Sequence, residues 1–199
     1  MTAFAPVATV TALPAPLMRD SIDTDAIIPS REIRTVGKTG LADGLFAGWR
    51  YHTGTRDLDS RFILNDPRYA GAAILLGGAN FGCGSSREHA VWALHEYGVR
   101  AIIAPGFAPI FAANCVRNGV VPIVLDAAFA DAPLTVDLAA QTVAQGDQVW
   151  TFDIAAEAKA MLLGGLDAID LTLADSATIA AWTVRDRAAR PWIYFGDAA

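Results

Sequence analysis

The stretch "GGANFGCGSSREH", residues 77–89, decides how the rest of the sequence is interpreted. It follows an apolar run at 72–76 ("AAILL") and leads into a run with helical spacing at 90–98 ("AVWALHEYG"). A glycine-rich turn between a strand and a helix leaves backbone N–H groups unpaired at the helix N-terminus, where anions bind readily. Since glycine permits close backbone approach, we expect this turn to contact a ligand.

Three side chains of the turn carry the candidate chemistry. The spacing predicts a helix over 86–97, with Ser85 and Ser86 at or near its N-cap and Arg87 in its first turn. An arginine there opposes the helix dipole, at a cost of a few tenths to ~1 kcal/mol, which indicates that its planar fork is needed for a carboxylate or phosphate. In the other interpretation the serines only cap the helix and Arg87 pairs with a surface acid, and the spacing leaves both open.

Three better-known glycine motifs do not fit this turn. No lysine follows the glycines, as a phosphate-binding G-x-x-x-x-G-K-[ST] loop requires. Cys83 and Arg87 stand where the hydrolase motif G-x-S-x-G would need glycines around Ser85. Arg87 also replaces the last glycine of the dinucleotide-binding fingerprint. A serine hydrolase is further disfavoured because the sequence shows no evident acid–histidine–serine set.

Composition excludes several classes of protein. A chain of 199 residues that is 53% hydrophobic suffices for one domain with a substantial core. The net charge of −6 and the lack of a basic cluster argue against nucleic acid as a partner. No apolar run approaches the roughly 18 residues of a membrane span, and the N-terminus does not resemble a signal peptide. We therefore expect a soluble, cytoplasmic protein with no membrane partner.

The cysteine and histidine content argues against a metal centre in this chain. The two cysteines, Cys83 and Cys115, cannot supply the three or four thiolates of an iron–sulfur cluster. The histidines, His52, His89 and His95, are scattered without zinc-ligand spacing. We expect no metal held by this chain alone.

The order of the predicted elements indicates an α/β fold. Strands at 72–76, 100–104 and 120–125 alternate with helices at 86–97 and 108–119, which predicts parallel strands with right-handed crossovers. The pattern also predicts a strand at 7–13, a hairpin or meander over 133–154, and helices at 155–165 and 175–190.

Two segments outside the turn hold further candidates. "DSIDTDAIIP", residues 20–29, places three aspartates within six positions. They form either a solvated capping turn or a turn that points one carboxylate into a site. Residues 30–56 hold five glycines and five Lys/Arg without clear periodicity, which is typical of a functional loop or lid.

These motifs together resemble the mobile swivel domain of the aconitase superfamily, and within it the small-subunit family of 3-isopropylmalate dehydratases. The similarity is carried by "NFGCGSSREHAVWAL" (80–94) and by segments in family order at 22–29, 44–51, 102–123 and 165–173. The resemblance implies an α/β fold: a swivelling three-layer β/β/α domain with a mixed sheet over 1–199. It also implies a mobile substrate-specificity loop at about 30–56 and a C-terminal helical extension at about 155–199.

The resemblance further implies a partner and a reaction. The partner is a separate large subunit that carries a [4Fe–4S] cluster, in a heterodimer or heterotetramer with the active site between the subunits. The reaction is that of a hydro-lyase of leucine biosynthesis, which dehydrates 2-isopropylmalate, a small dicarboxylate, and rehydrates it to 3-isopropylmalate. The cluster iron acts as the Lewis acid on the hydroxyl group and a carboxylate.

Residue roles follow from the same resemblance. Ser85 aligns with the serine that removes the carbon-bound proton as an alkoxide, which the surrounding N–H groups and arginine must stabilise. Ser86 and Arg87 align with substrate-carboxylate contacts, and Asp25 aligns with an active-site aspartate near that arginine. The residues expected to hold the turn in shape are Gly84, Glu88 and His89.

The loop after Pro29 departs from the family pattern. Members usually carry an aromatic–leucine pair and later an arginine, whereas this chain has Glu32-Ile33 and Lys38. Ile33 or Val36 could pack on an apolar substrate group, and Arg34 or Lys38 could pair with an additional carboxylate. A related hydro-lyase acting on citramalate, dimethylmalate or homoaconitate is therefore an alternative. A stand-alone anion-binding regulatory module is the alternative of another class.

Overall fold

The computed structural model describes residues 4–194. This part of the chain forms two four-stranded β-sheets, one with only parallel pairing and one with only antiparallel pairing. The strands of the parallel sheet, in spatial order, are β2 (Ala15–Leu17), β3 (Ile74–Gly77), β4 (Ala101–Ala104) and β5 (Val121–Val124). The strands of the antiparallel sheet, in spatial order, are β1 (Thr9–Ala12), β6 (Leu134–Asp137), β7 (Thr142–Gln145) and β8 (Gln148–Thr151).

Seven α-helices and five short 3-10 turns lie within residues 4–194. The helices are α1 (Thr24–Ile27), α2 (Ala47–Arg50), α3 (His89–Tyr97), α4 (Pro109–Arg117), α5 (Ala156–Gly164), α6 (Ala168–Ala174) and α7 (Ser176–Ala189). The 3-10 turns are Ser30–Glu32, Ala42–Gly44, Ile63–Asn65, Pro67–Tyr69 and Pro191–Ile193. None of the helices in the described range is long and apolar enough to cross a membrane.

The parallel sheet is the middle layer of the molecule. Every residue of β3 and β4 is buried, as a strand covered on both faces requires. Leu75 and Ile102 pack in the cluster that contains α3 and α4, while Ile74 and Ile103 pack in the cluster that contains the antiparallel sheet. This alternation confirms the predicted three-layer β/β/α fold, with parallel and antiparallel pairing divided between two sheets.

The predicted β-α-β-α-β order is confirmed as β3-α3-β4-α4-β5, with all three strands parallel. The predicted meander over 133–154 is confirmed as β6, β7 and β8. The sequence did not give the partner of the N-terminal strand. β1 pairs antiparallel with β6, and Thr11 Oγ1 and Thr135 Oγ1 lie 2.9 Å apart across that pair.

The predicted start of the helix after the glycine turn is wrong by three residues. The helix begins at His89, and Glu88 is its N-cap residue without a side-chain capping bond. Before it, the Arg87 N–H donates to the Ser85 carbonyl at 2.7 Å, which forms a separate tight turn. Ser85 and Ser86 are therefore not helix caps, and Arg87 lies outside the first turn of α3.

The segment 30–56, predicted as one long loop, contains part of the core. Leu41, Leu45 and Phe46 are fully buried, and the Phe46 ring stacks on Trp49 with 5.6 Å between centroids. Within this segment, residues 33–41, 45–46 and 51–56 lie outside the helices and 3-10 turns. The mixed spacing hid two short 3-10 turns and α2, because elements of three or four residues leave no measurable periodicity.

The C-terminal helices differ in how they pack. α5 belongs to the core through Met161 and Leu162, so it is not part of an extension. α6 was not predicted, although Asp167 and Asp170 form a capping box at its start. α6 and α7 have no buried residues. The last part of the extension predicted over 155–199, residues 195–199, lies outside the described residues.

Replacing Gly82 by alanine should destabilise the fold. Gly82 has φ +77°, and a Cβ built there would overlap the ring of Phe111, which is buried at the centre of the core. Strain at a positive φ and overpacking together predict a loss of about 2–4 kcal/mol in the free energy of unfolding. Urea denaturation measures this loss. Gly48→Ala is the control, since Gly48 lies in α2 and a Cβ there meets no atom within 4 Å. Equal stability of the two variants would contradict the prediction.

Candidate active site

The glycine turn is joined along its length to the segment before α1. The Gly82 N–H donates to the Ile22 carbonyl at 2.7 Å, and the Thr24 N–H donates to the Cys83 carbonyl at 2.8 Å. A parallel bridge between Asp23 and Cys83 continues this pairing. The end of β3 and the start of α1, which are distant in sequence, are thereby fixed side by side.

The three aspartates of 20–25 have different partners. Asp20 Oδ1 accepts the Ala79 N–H at 2.8 Å, and Asp23 Oδ1 accepts the Ala26 N–H at 2.6 Å as the N-cap of α1. Both of these carboxylates accept hydrogen bonds from backbone N–H groups. Asp25 is the one that pairs with a side chain of the glycine turn. The capping interpretation holds for Asp23, and the interpretation that Asp25 points into a site stays a prediction.

Arg87 and Asp25 form the ion pair at the centre of the site. Arg87 Nη1 donates to Asp25 Oδ1 at 2.8 Å and to the Ile28 carbonyl at 2.9 Å, while Nη2 reaches Ser30 Oγ at 3.3 Å. The hydrogen bond from Arg87 holds the pKa of Asp25 below its usual value, against the opposing effect of desolvation. The Arg87 side chain is 18% exposed. Because Nη2 makes only one long bond, it retains capacity for a ligand anion.

Ser85 combines a fixed backbone with an uncommitted side chain. Its carbonyl accepts Thr24 Oγ1 at 3.1 Å and the Arg87 N–H at 2.7 Å. Gly84 precedes it with φ +90°, a conformation that glycine adopts without strain. Ser85 is exposed, as is Ser86, and within residues 4–194 the Ser85 hydroxyl has no hydrogen-bond partner. The fold therefore presents Ser85 at the surface, two residues before the arginine of the ion pair.

The residues that follow Arg87 anchor the start of α3. Glu88 Oε1 accepts the Asn118 Nδ2–H at 2.7 Å, and the His89 ring packs on Trp92 with 4.6 Å between centroids. Sequence analysis did not single out Asn118 as a site residue. Its only signal was an Asn–Gly pair, which marks the end of the predicted helix.

The loop candidates lie apart from this ion pair. Ile33 is partly buried against the core. Arg34 is exposed, and its Nε donates to the Arg31 carbonyl at 3.4 Å. Lys38 Nζ donates to Asn118 Oδ1 at 3.0 Å. The hydrogen bonds of the described residues thus bring together the candidates Asp25, Ser85 and Arg87, and join none of the three loop residues to them. Thr24, Ser30 and Asn118 are the contributors that sequence analysis missed.

The two thiols do not form a cluster site. Cys115 is fully buried in the core, and burial raises the pKa of its thiol well above the usual value. Cys83 Sγ lies 3.4 Å from the Ser21 carbonyl, to which it donates. The part of the chain that the structure describes contains no group of three or more His, Cys, Asp or Glu side chains able to hold a metal ion. The donor set of this chain does not fit an iron–sulfur cluster.

The arrangement is suited to binding a carboxylate next to a proton-transfer group. A guanidinium held on a carboxylate and a carbonyl is pre-oriented, so little freedom is lost when it binds a ligand. The exposed hydroxyl of Ser85 is a weak base, and only a nearby positive charge or N–H donors can stabilise its anion. The Ser85 hydroxyl, the Arg87 guanidinium and backbone N–H groups all belong to one turn, residues 84–87.

Comparisons with known proteins identify the family of this chain. The aconitase C-terminal domain family matches residues 4–128, and the LeuD_N family matches residues 125–156. A 3-isopropylmalate dehydratase small subunit from Cupriavidus necator is 54% identical over 195 residues, which cover 91% of this chain and 94% of that protein. A second, from Neisseria gonorrhoeae, is 46% identical over an alignment of 207 positions that covers 94% of this chain and 97% of that protein.

A solved structure extends the comparison to three dimensions. The crystal structure of a 3-isopropylmalate dehydratase from Methanocaldococcus jannaschii aligns with a TM-score of 0.68 and 26% identity, over 87% of this chain and 99% of that one. The resemblance found in the sequence is thereby confirmed. With relatives so similar over almost their whole length, the chain belongs to the 3-isopropylmalate dehydratase small-subunit family of the aconitase superfamily.

Proposed function

We propose that this chain is the small subunit of a 3-isopropylmalate dehydratase, the hydro-lyase that converts 2-isopropylmalate to 3-isopropylmalate in leucine biosynthesis. The observation that carries the proposal is the Arg87–Asp25 pair beside the free hydroxyl of Ser85. The names of two relatives, at 54% and 46% identity, support the choice of substrate. The cytoplasmic location expected from the sequence stays a prediction.

In the proposed reaction this chain binds one carboxylate and moves one proton. Arg87 binds the substrate carboxylate through Nη2, and Ser86 contacts the same group from the neighbouring position. The Ser85 alkoxide removes the proton from the carbon next to a carboxylate, and the Ser85 oxygen becomes a hydroxyl. As the C=C bond forms, the C–O bond of the substrate's hydroxyl group breaks, and the hydroxide would leave to the Lewis acid that the large subunit supplies. On rehydration Ser85 gives its proton to the carbon that had carried the hydroxyl group, and the hydroxide adds to the carbon that had lost the proton.

We infer that catalysis needs a second chain. The relatives are named small subunits, which supports a large-subunit partner in a heterodimer or heterotetramer. Cys115 is enclosed in the core and Cys83 stands alone, so the [4Fe–4S] cluster of the proposed reaction is assigned to the large subunit. The exposed positions of Ser85 and Ser86 leave this face of the turn open to such a partner.

The loop at 33–41 is proposed to select the substrate's side group. Ile33, which is half-buried, offers an apolar contact for an isopropyl group. The exposed guanidinium of Arg34 is the candidate that would pair with the additional carboxylate of a homoaconitate-type substrate. One methylene in an apolar pocket is worth only ~1–3 kcal/mol, so we expect graded discrimination among alkyl groups.

Mixing experiments test the proposed function. The isolated chain should have no isomerase activity, and a purified cluster-bearing large subunit should confer it on mixing, with isopropylmalate preferred over citramalate and homoaconitate by kcat/KM. Activity of the chain alone, without added iron or partner, would contradict the proposal. A binding module would never gain activity, and a hydrolase would act alone on esters. Preference for homoaconitate would reassign the substrate and point to Arg34.

Ser85→Ala should lower kcat of the reconstituted enzyme at least ~10²-fold, the lower end for loss of an acid–base group. Because Ser85 is exposed and caps no helix, the free energy of unfolding should change by no more than about 0.5 kcal/mol. Steady-state kinetics and urea denaturation give the two quantities. Ser60→Ala, at another exposed serine, is the control and should affect neither. Near-normal turnover of Ser85→Ala would remove Ser85 from the reaction.

Arg87→Lys should raise KM for isopropylmalate at least ~10-fold, because one ammonium cannot hold Asp25, the Ile28 carbonyl and a substrate carboxylate together. Arg61→Lys is the matched control: Arg61 forms a two-pronged pair with Asp59 on the surface, at 2.9 and 2.7 Å. KM should be unchanged in the control. An unchanged KM in Arg87→Lys would argue against contact between Arg87 and the substrate.

A further inference from the structure

The side-chain amide of Asn118 uses every hydrogen bond it can make. Its Oδ1 accepts the Trp92 Nε1–H and the Lys38 Nζ–H, both at 3.0 Å. Its Nδ2 donates to Glu88 Oε1 at 2.7 Å and to the Asn114 carbonyl at 2.9 Å. An amide offers two acceptor and two donor positions, and Asn118 is only 6% exposed. A buried amide with all positions filled is held in one orientation.

Of the four partners of this amide, only Lys38 belongs to the loop. Glu88 is the N-cap residue of α3, Trp92 lies within α3, and Asn114 lies in α4. The Lys38 ammonium also lies over the Trp92 ring, 5.5 Å from its centroid. The same indole therefore contacts Lys38 through its ring and shares the Asn118 oxygen with it. Lys38 joins the loop to both helices that cover the parallel sheet.

The ends of the loop are fixed by other contacts. At its start, Ser30 donates through N and Oγ to Asp25 Oδ1, at 3.3 and 3.2 Å. At its end, the Glu96 carboxylate of α3 accepts three consecutive backbone N–H groups at 2.6, 2.6 and 2.9 Å, those of Gly40, Leu41 and Ala42. Between these anchors, Arg34 donates to the Arg31 carbonyl and the Gly37 N–H donates to Thr35 Oγ1, so neither hydrogen bond reaches a helix of the core. Lys38 attaches residues 34–39, the middle of the loop, to α3 and α4.

We propose that Lys38 is the latch of this loop and that Asn118 is the positioning residue that receives it. The latched ammonium fixes residues 34–39 against α3 and α4. Through Glu88, the same amide fixes the start of α3, which follows the glycine turn. Lys38 thus sets where the loop lies relative to the turn and does not bind a substrate carboxylate. The consequence for substrate binding rests on the proposed function, whereas the latch itself does not.

The latch is tested by NMR on the isolated chain. Lys38→Met keeps an unbranched side chain one atom shorter and removes the ammonium, so the Trp92 indole N–H resonance should shift and amide exchange over 35–39 should accelerate about tenfold. Lys38→Arg should restore both. Lys159→Met is the control. The Lys159 ammonium likewise donates hydrogen bonds, to the Ala139 carbonyl and to Gln141 Oε1, but it has no contact with the loop. A Lys38→Met spectrum and exchange profile matching the control would overturn the proposal.

A second variant tests Asn118 itself. Asn118→Asp keeps an acceptor for Lys38 and adds a negative charge, while it removes the donor to Glu88 and to the Asn114 carbonyl. Protection of the amides over 35–39 should therefore be equal to or higher than in the natural chain, although the start of α3 loses a bond. Loss of that protection in a folded Asn118→Asp chain would show that Lys38 is held by something else. If this variant does not fold, the Lys38 pair of variants still decides the proposal.

The kinetic test separates a latch from a substrate-binding lysine. In the reconstituted enzyme, Lys38→Met should raise KM by the same factor, about three- to tenfold, for isopropylmalate, citramalate and homoaconitate, with a smaller effect on kcat, because the loop is displaced whatever the substrate. A loss confined to homoaconitate would identify Lys38 as a carboxylate-binding residue and overturn the latch. If the complex turns over none of these substrates, the proposed function fails while the NMR results still decide the latch.

Discussion

The ion pair between Arg87 and Asp25 is the contact on which the rest of the site depends. A guanidinium that is only 18% exposed must have its charge compensated, because an unpaired charge in that position is costly. The compensation comes from Asp25 in α1, the Ile28 carbonyl just after α1, and Ser30 at the start of the loop. One side chain thereby sets the relative positions of α1, the glycine turn and the loop.

The central part of the fold was predictable because its signals are local. β3 and β4 are continuous apolar runs, and Gly98 ends α3 where the sequence placed the stop. The start of α3 was not predictable in the same way. Ser85 and Ser86 have the residue type and position of helix caps, but the carbonyl of Ser85 is engaged by Thr24, a contact across 61 positions of sequence. A long-range hydrogen bond overrides a local capping preference here.

The candidate site shows the same limit in its side chains. The resemblance singled out Asp25 as the aspartate near Arg87, whereas the local spacing of the three aspartates could not tell which of them would cap α1. Asn118 was read only as a helix end, since its amide acquires four partners through folding, and one of them, Lys38, is 80 positions away. Polar networks assembled from several elements have no periodicity, so they leave no pattern in a single sequence.

The charges at the glycine turn favour an active site that a second subunit completes. The hydrogen bond from Arg87 lowers the pKa of Asp25, so the ion pair contributes stability above the ordinary pKa of a carboxyl group and loses it as pH falls through the lowered value. Arg87 is therefore already partly neutralised before any ligand arrives. A dicarboxylate carries two negative charges, and the chain as a whole has a net charge of −6. Binding such a dianion calls for further positive charge at the turn, which supports the proposal that a second subunit completes the site.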